Sequence, residues 1–162
     1  MRPNKDISDP VTPAPGELWF IRSEEDPAER ALVCVIESDA ARGRGRPDHP
    51  VHASVAFTDT DLESATDGDL CYALGEAAPW TLRVSTNLVG PVRLSSFAYR
   101  VGRVPTDPNL LREAVLFDRF APELAARRGL PLHGPHDTRL ASLEARLDEM
   151  WQFFLAPLTD FD

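Results

Sequence analysis

The chain has 162 residues, 43% of them hydrophobic, and a formal net charge of −9 from 17 Lys and Arg against 26 Asp and Glu. That length suits one domain with a real core. The acidic balance excludes a general nucleic-acid coat, which needs clustered cations to neutralise phosphates, and no apolar run is long enough to cross a bilayer.

Residues 1–15 are polar and proline-rich, without the apolar block of a secretory signal, and are expected to form a mobile tail. Pro15-Gly16 then punctuates the chain, and Leu18 to Ile21 supply side chains suited to a strand. Ser23 to Glu29 is an acidic loop. Arg30 follows at the mouth of a second strand, where Leu32 to Ile36 is a continuous apolar run that predicts burial on both faces. Residues 38–50 hold alternating arginine and glycine (Arg42, Arg44, Arg46). They read either as a permissive backbone presenting forked donors to phosphate or carboxylate, or as a solvated connector.

Val51 to Thr58 alternates in part, with Val51, Ala53, Val55 and Phe57 on one side and His52, Ser54 and Thr58 on the other. Asp61 to Ala65 could form one helical turn before Asp67-Gly68-Asp69. Leu70 to Leu74 is a short apolar run. Trp80, Leu82 and Val84 face one way in the next strand, Thr81, Arg83 and Ser85 the other, and Tyr99 to Val104 is the last candidate strand. Short strands between polar turns predict a barrel-like β domain over residues 16–106.

After Pro105 the pattern becomes helical, and residues 107–162 are expected to form a C-terminal helical extension. Asn109 to Phe120 carries Leu110, Leu111, Ala114, Val115 and Phe117 at helical spacing. Pro122 opens a second short helix that Gly129 and Pro131 end. Asp137 or Thr138 caps a longer one. In it Leu140, Leu143, Leu147, Met150 and Phe154 form a narrow seam, too short for an autonomous coiled coil. The seam either packs on the β domain or serves a dimer or partner. The second use is favoured, with Trp151 as a further interface residue if it is exposed.

Cys34 and Cys71 lie in apolar segments and read as buried free thiols of a reducing, cytoplasmic compartment. Two cysteines and four scattered histidines give no zinc spacing, so neither metal nor cofactor is expected. No phosphate loop, dinucleotide fingerprint, zinc-protease helix or nucleophile elbow is present.

The order of these segments resembles the MazF/PemK endoribonuclease toxins and their structural relative, the gyrase poison CcdB. Gly16-Glu17-Leu18-Trp19 resembles the opening strand of that pattern, Arg30 before Ala31 to Ile36 the arginine-led second strand, and Phe57-Thr58 the threonine-ended third. Ala65 to Leu70 and Trp80 to Asn87 resemble the turn and strand that follow, the latter closer to CcdB. The resemblance implies an α+β chain, a small SH3-like β-barrel followed by C-terminal helices. It also implies metal-independent cleavage of single-stranded RNA, a homodimer and an antitoxin partner. By position, Arg30 would stabilise charge on the phosphate and Thr58 would orient the reacting group. Arg42, Arg44, Arg46 and Arg83 would bind substrate. His52, six positions before Thr58 and on the same face by parity, is a general acid or base by our own reading of its chemistry. Ala31 stands where the family usually has proline, and the helical tail is longer than these toxins need. The alternative is a non-catalytic SH3-like module, CcdB-like or a regulatory subunit, that docks a protein through its C-terminal helices.

Overall fold

β-Branched and aromatic runs in the first two thirds of the chain build six antiparallel strands. The computed structural model describes residues 12–38 and 52–157. Residues 1–11 of the tail expected over 1–15, and the arginine-glycine segment with Arg42, Arg44 and Arg46, lie outside them. The strands are β1 (Glu17–Arg22), β2 (Arg30–Ser38), β3 (His52–Asp59), β4 (Asp69–Tyr72), β5 (Leu82–Arg93) and β6 (Phe97–Arg103), in the sheet order β4-β5-β3-β2-β1-β6. The class is therefore α+β, but the sheet is open. Among the described residues β4 does not pair with β6, because the outer edge of β4 is already taken. The Cys71 N–H donates to the Arg127 carbonyl at 2.8 Å, and Leu70 bridges Arg128.

β5 runs to Arg93, well past Ser85, the last residue of the expected alternation. Its bulge falls where the partner register jumps from Ala56↔Val89 to Thr58↔Val84. Gly90 and Pro91 lie inside the strand. A Cβ at Gly90 would collide with the side chain of Leu155, so the glycine lets the C-terminal segment lie against the sheet. Asp61 to Ala65 is a turn rather than a helical turn, closed by Ala65 N–H on the Leu62 carbonyl.

Helices cover both faces. Helix α1 (Pro108–Phe117) starts at Asp107, whose carboxylate accepts the Asn109 N–H at 2.8 Å, with proline in its first turn. It stops at Asp118 in the left-handed region, φ 56°, short of the expected Phe120. Leu111 and Ala114 of α1, with Leu124 of α2 (Pro122–Ala125), pack on Leu18, Ile36, Ala56 and Leu82 on one face.

Helix α3 (Thr138–Glu149), capped by Asp137, runs into a π-helical turn, Met150–Phe154. Met150 and Phe154 pack with Trp19, Val33, Val55 and Phe57 on the other face. This corrects the expected interface seam. Met150 and Phe154 are 2% and 6% exposed and belong to the chain's own core, with Leu143 packed against the same cluster and Leu140 half-buried. Leu147 and Trp151 remain outside, 41% and 58% exposed. The seam divides because the wider π turn shifts the register of its last side chains relative to the α-helix.

α3 itself has no fully buried residue and is held by arginines. Arg139 donates to the carbonyls of Ala65 (2.6 Å), Leu130 (2.9 Å) and Pro131 (2.8 Å). Arg146 donates to the Thr58 carbonyl at 2.7 Å and to Asp59 at 3.0 Å. Cys34 is free and buried, and burial pushes its thiol up to about 12. Cys71 is also free, but only half-buried.

Candidate functional site: a groove at the mouth of β2

Arg30 is the first residue of β2 and pairs across the hairpin with Arg22. The acidic loop before it closes on itself: Ser23 N–H donates to the Glu29 carbonyl at 3.0 Å, and Glu29 N–H to the Asp26 carbonyl at 2.9 Å. Glu24 turns instead to Arg93 (2.9 Å) and Ser95 (2.7 Å). Arg30 is thus left exposed, and it makes no ion pair among the described residues.

Beside it opens a groove of about 240 Å³, walled by Phe20, Leu32, Thr58, Trp80 and, from α3, Arg146 and Glu149. Phe20 is stacked at a tilt on Tyr99, ring centroids 5.2 Å apart. Trp80 is half-buried against the α1 face of the core, and its indole N–H has no partner among the described residues. The Thr58 hydroxyl, 5% exposed, donates to the Leu32 carbonyl at 2.7 Å. Its proton is therefore committed across the β2–β3 ladder, and its remaining lone pairs can still accept.

The structure brings Arg30 and Thr58 to one groove and leaves His52 out of it. His52 opens β3, opposite Arg93, while Thr58 stands six residues on. At strand rise this is about 20 Å, so shared parity does not bring the two groups together. Ser38 and His52, the strand ends that bound residues 39–51, also lie at the end of the sheet away from Arg30.

Arg83, expected to bind substrate, is only 6% exposed and lies behind the groove in a buried network. It donates to Asp69 at 3.2 Å and Asp59 at 3.3 Å. Asp69 also accepts from Ser85 (2.6 Å) and the Thr66 N–H (2.8 Å). The alternation correctly separates Arg83 and Ser85 from Leu82 and Val84, but α3 covers that polar face. Arg139 and Arg146 line the small cavity left there with Arg83. The guanidinium is spent on two carboxylates.

Sequence reasoning passed over Phe20, Asp59, Trp80, Arg146 and Glu149 in this groove. Phe20 and Trp80 read as ordinary strand aromatics. Arg146 and Glu149 belong to α3, and nothing local in the sequence places that helix against the end of β3.

A second, larger cavity of about 450 Å³ lies at the C-terminal π turn, between Glu24, Arg93, Trp151, Phe153 and Leu155. Elsewhere burial pushes the Tyr72 phenol up to about 12, and its oxygen lies 2.8 Å from the Thr106 hydroxyl. Among the described residues no group of three or more His, Cys, Asp or Glu is placed to hold a metal ion, and no helix is long and apolar enough to cross a membrane.

No protein-family model and no curated protein matches the sequence. Among solved structures the chain is similar to the Mycobacterium tuberculosis toxin MazF-mt6 with a TM-score of 0.47 and 8% identity, over 63% of this chain and 93% of that one. A likeness at that level carries no argument about activity, which has to be read from the groove itself.

Proposed function

We propose that the chain is a toxin-like, metal-independent endoribonuclease that cleaves single-stranded RNA in the groove at the mouth of β2, on an opened-out SH3-like sheet. The observation that carries this reading is Arg30, an exposed guanidinium without an ion-pair partner among the described residues, beside Thr58 and two aromatic walls. Attack of a ribose 2′-hydroxyl on the neighbouring phosphate builds negative charge on the non-bridging oxygens. A guanidinium donates two parallel hydrogen bonds to such oxygens and stays charged at any working pH. Phe20 and Trp80 offer π faces on which unpaired bases stack without strict sequence preference. Thr58, its proton held by Leu32, serves as an acceptor that orients the incoming strand. In this reading the protein acts in the cytoplasm, and a second copy and an antitoxin are its expected partners.

The test is cleavage of a single-stranded RNA by the purified chain in the presence of a chelator, beside Arg30→Ala. The expected result is cleavage that falls about 10²–10³-fold in the variant, the usual loss when a donor to a developing oxyanion is removed. A folded chain that leaves RNA intact overturns the reading.

A second reading is favoured by one observation: Trp151 is 58% exposed at the rim of the larger cavity. A non-catalytic module that docks a protein there would leave RNA intact and would lose its partner on Trp151→Ala.

A further inference from the structure

RNA cleavage of this kind needs a group to take the proton from the attacking hydroxyl, and the expected histidine stands about 20 Å from Thr58 along β3. Two carboxylates line the groove, Asp59 and Glu149. Asp59 is engaged by two guanidiniums, Arg83 at 3.3 Å and Arg146 at 3.0 Å. Glu149 makes no ion pair and no side-chain hydrogen bond among the described residues, and it is exposed to the groove. Its placement is fixed from one helical turn earlier. Arg146 anchors α3 on the Thr58 carbonyl at 2.7 Å, and a residue three positions on shares that face of the helix. The charged groups that face Glu149 are Arg30 from β2, Asp59 from β3 and Arg146 from its own helix.

We infer that Glu149 is the general base of this groove and that Arg146 is its positioning residue; the inference rests on the RNA-cleaving reading above. The Glu149 carboxylate takes the proton of the 2′-hydroxyl as that oxygen bonds to phosphorus. The bond from phosphorus to the 5′-oxygen breaks, the leaving oxygen takes a proton from solvent water, and the hydroxide so formed removes the proton from Glu149. The products are a 2′,3′-cyclic phosphate and a free 5′-hydroxyl. No oxidant, reductant or further reactant enters. Arg30 holds the non-bridging oxygens throughout. The assignment also gives the C-terminal helix a part in the site.

The experiment compares wild type, Glu149→Gln and Arg146→Lys on a single-stranded RNA, with binding measured separately on the same oligonucleotide fully 2′-O-methylated, which cannot react. Glutamine keeps the shape of an exposed side chain, so Glu149→Gln is expected to unfold at the wild-type temperature. It should cleave about 10²–10⁴-fold more slowly, the range for loss of a general base. The rise of rate with pH on the acid side should disappear, while the methylated strand binds as well or more tightly because a negative charge has left the groove. Arg146→Lys should lower kcat with KM unchanged, because lysine keeps the charge but loses the two-pronged anchor. Glu149→Gln that cleaves at the wild-type rate or faster, with its pH profile intact, overturns the assignment and leaves the RNA reading standing. A folded wild-type chain that does not cleave RNA overturns both, whether or not it binds the methylated strand.

Discussion

Arg30 and Arg83 stand near the same end of the β3 ladder and do opposite things. Arg83 is 6% exposed and engages Asp59 and Asp69, so its charge is consumed by architecture. Arg30 opens β2 with its charge turned to solvent beside a walled groove. An arginine at a strand mouth therefore says little until its partners are known. Of the acidic residues in the loop before Arg30, Glu24 is turned to Arg93 and Ser95. Arg100 is intermediate: its side chain is 60% exposed, yet it pairs with Glu17 at 2.9 Å.

The largest expected effect is on the buried side of this comparison. Arg83→Ala strands the Asp69 carboxylate, 4% exposed, without its guanidinium. Unfolding in urea should show a loss of about 3–5 kcal/mol, the cost of breaking a buried pair from one side. A loss below about 1 kcal/mol would mean that the network is not what holds α3 and the β4 edge together. Neighbouring residues of the π turn should divide in the same way. Met150→Ala, in the core, should cost about 2–5 kcal/mol. Trp151→Ala should stay within about 0.5 kcal/mol of wild type, and thermal melts of the pair would read the contrast directly.

Arg30→Ala is the inverse case. Its stability should match wild type within about 0.5 kcal/mol, while RNA cleavage falls as given above. A variant that loses both together would make Arg30 another architectural arginine.

The smallest effect concerns Glu17. Burial alone would raise its carboxyl, but the Ala14 N–H, the Trp19 indole and Arg100 outweigh burial and hold it below the usual carboxylate range. A depressed folded value contributes stability that is present above the unfolded value, 4.5, and is lost as pH falls through the folded one. Glu17→Gln should thus weaken the pH dependence of stability on the acid side. Because Arg100 is largely exposed, the pair itself is worth about 0.2–1 kcal/mol. Identical acid titrations of the two proteins would show that Glu17 carries none of it.

Much of the sheet was legible because alternation is a local property. Leu32 to Ile36 and Ala53 to Phe57 point where their spacing says, and the Asp107 and Asp137 caps mark where their helices begin. What was not legible depends on distant neighbours. Gly90 and Pro91 lie within β5, and the room above Gly90 is filled by Leu155 from the far end of the chain. Residues after α2 occupy the β4 edge that a closed sheet would have to pair. Parity would put His52 and Thr58 on one face of β3, but parity carries no distance, and six residues of strand separate them. Arg83 lies on a polar face, as alternation said, but only the placement of α3 shows that this face is covered.

The measurement closest to the central claim follows the arginine side-chain N–H signals by nuclear magnetic resonance, as a 2′-O-methylated single-stranded oligonucleotide is added to the full chain. The account predicts that the Arg30 signal moves with saturation while that of Arg83, already fixed between two carboxylates, does not. A shift confined to Arg83, to Arg93 beside the larger cavity, or to none of the arginines would contradict the assignment of the groove at the mouth of β2 as the working site.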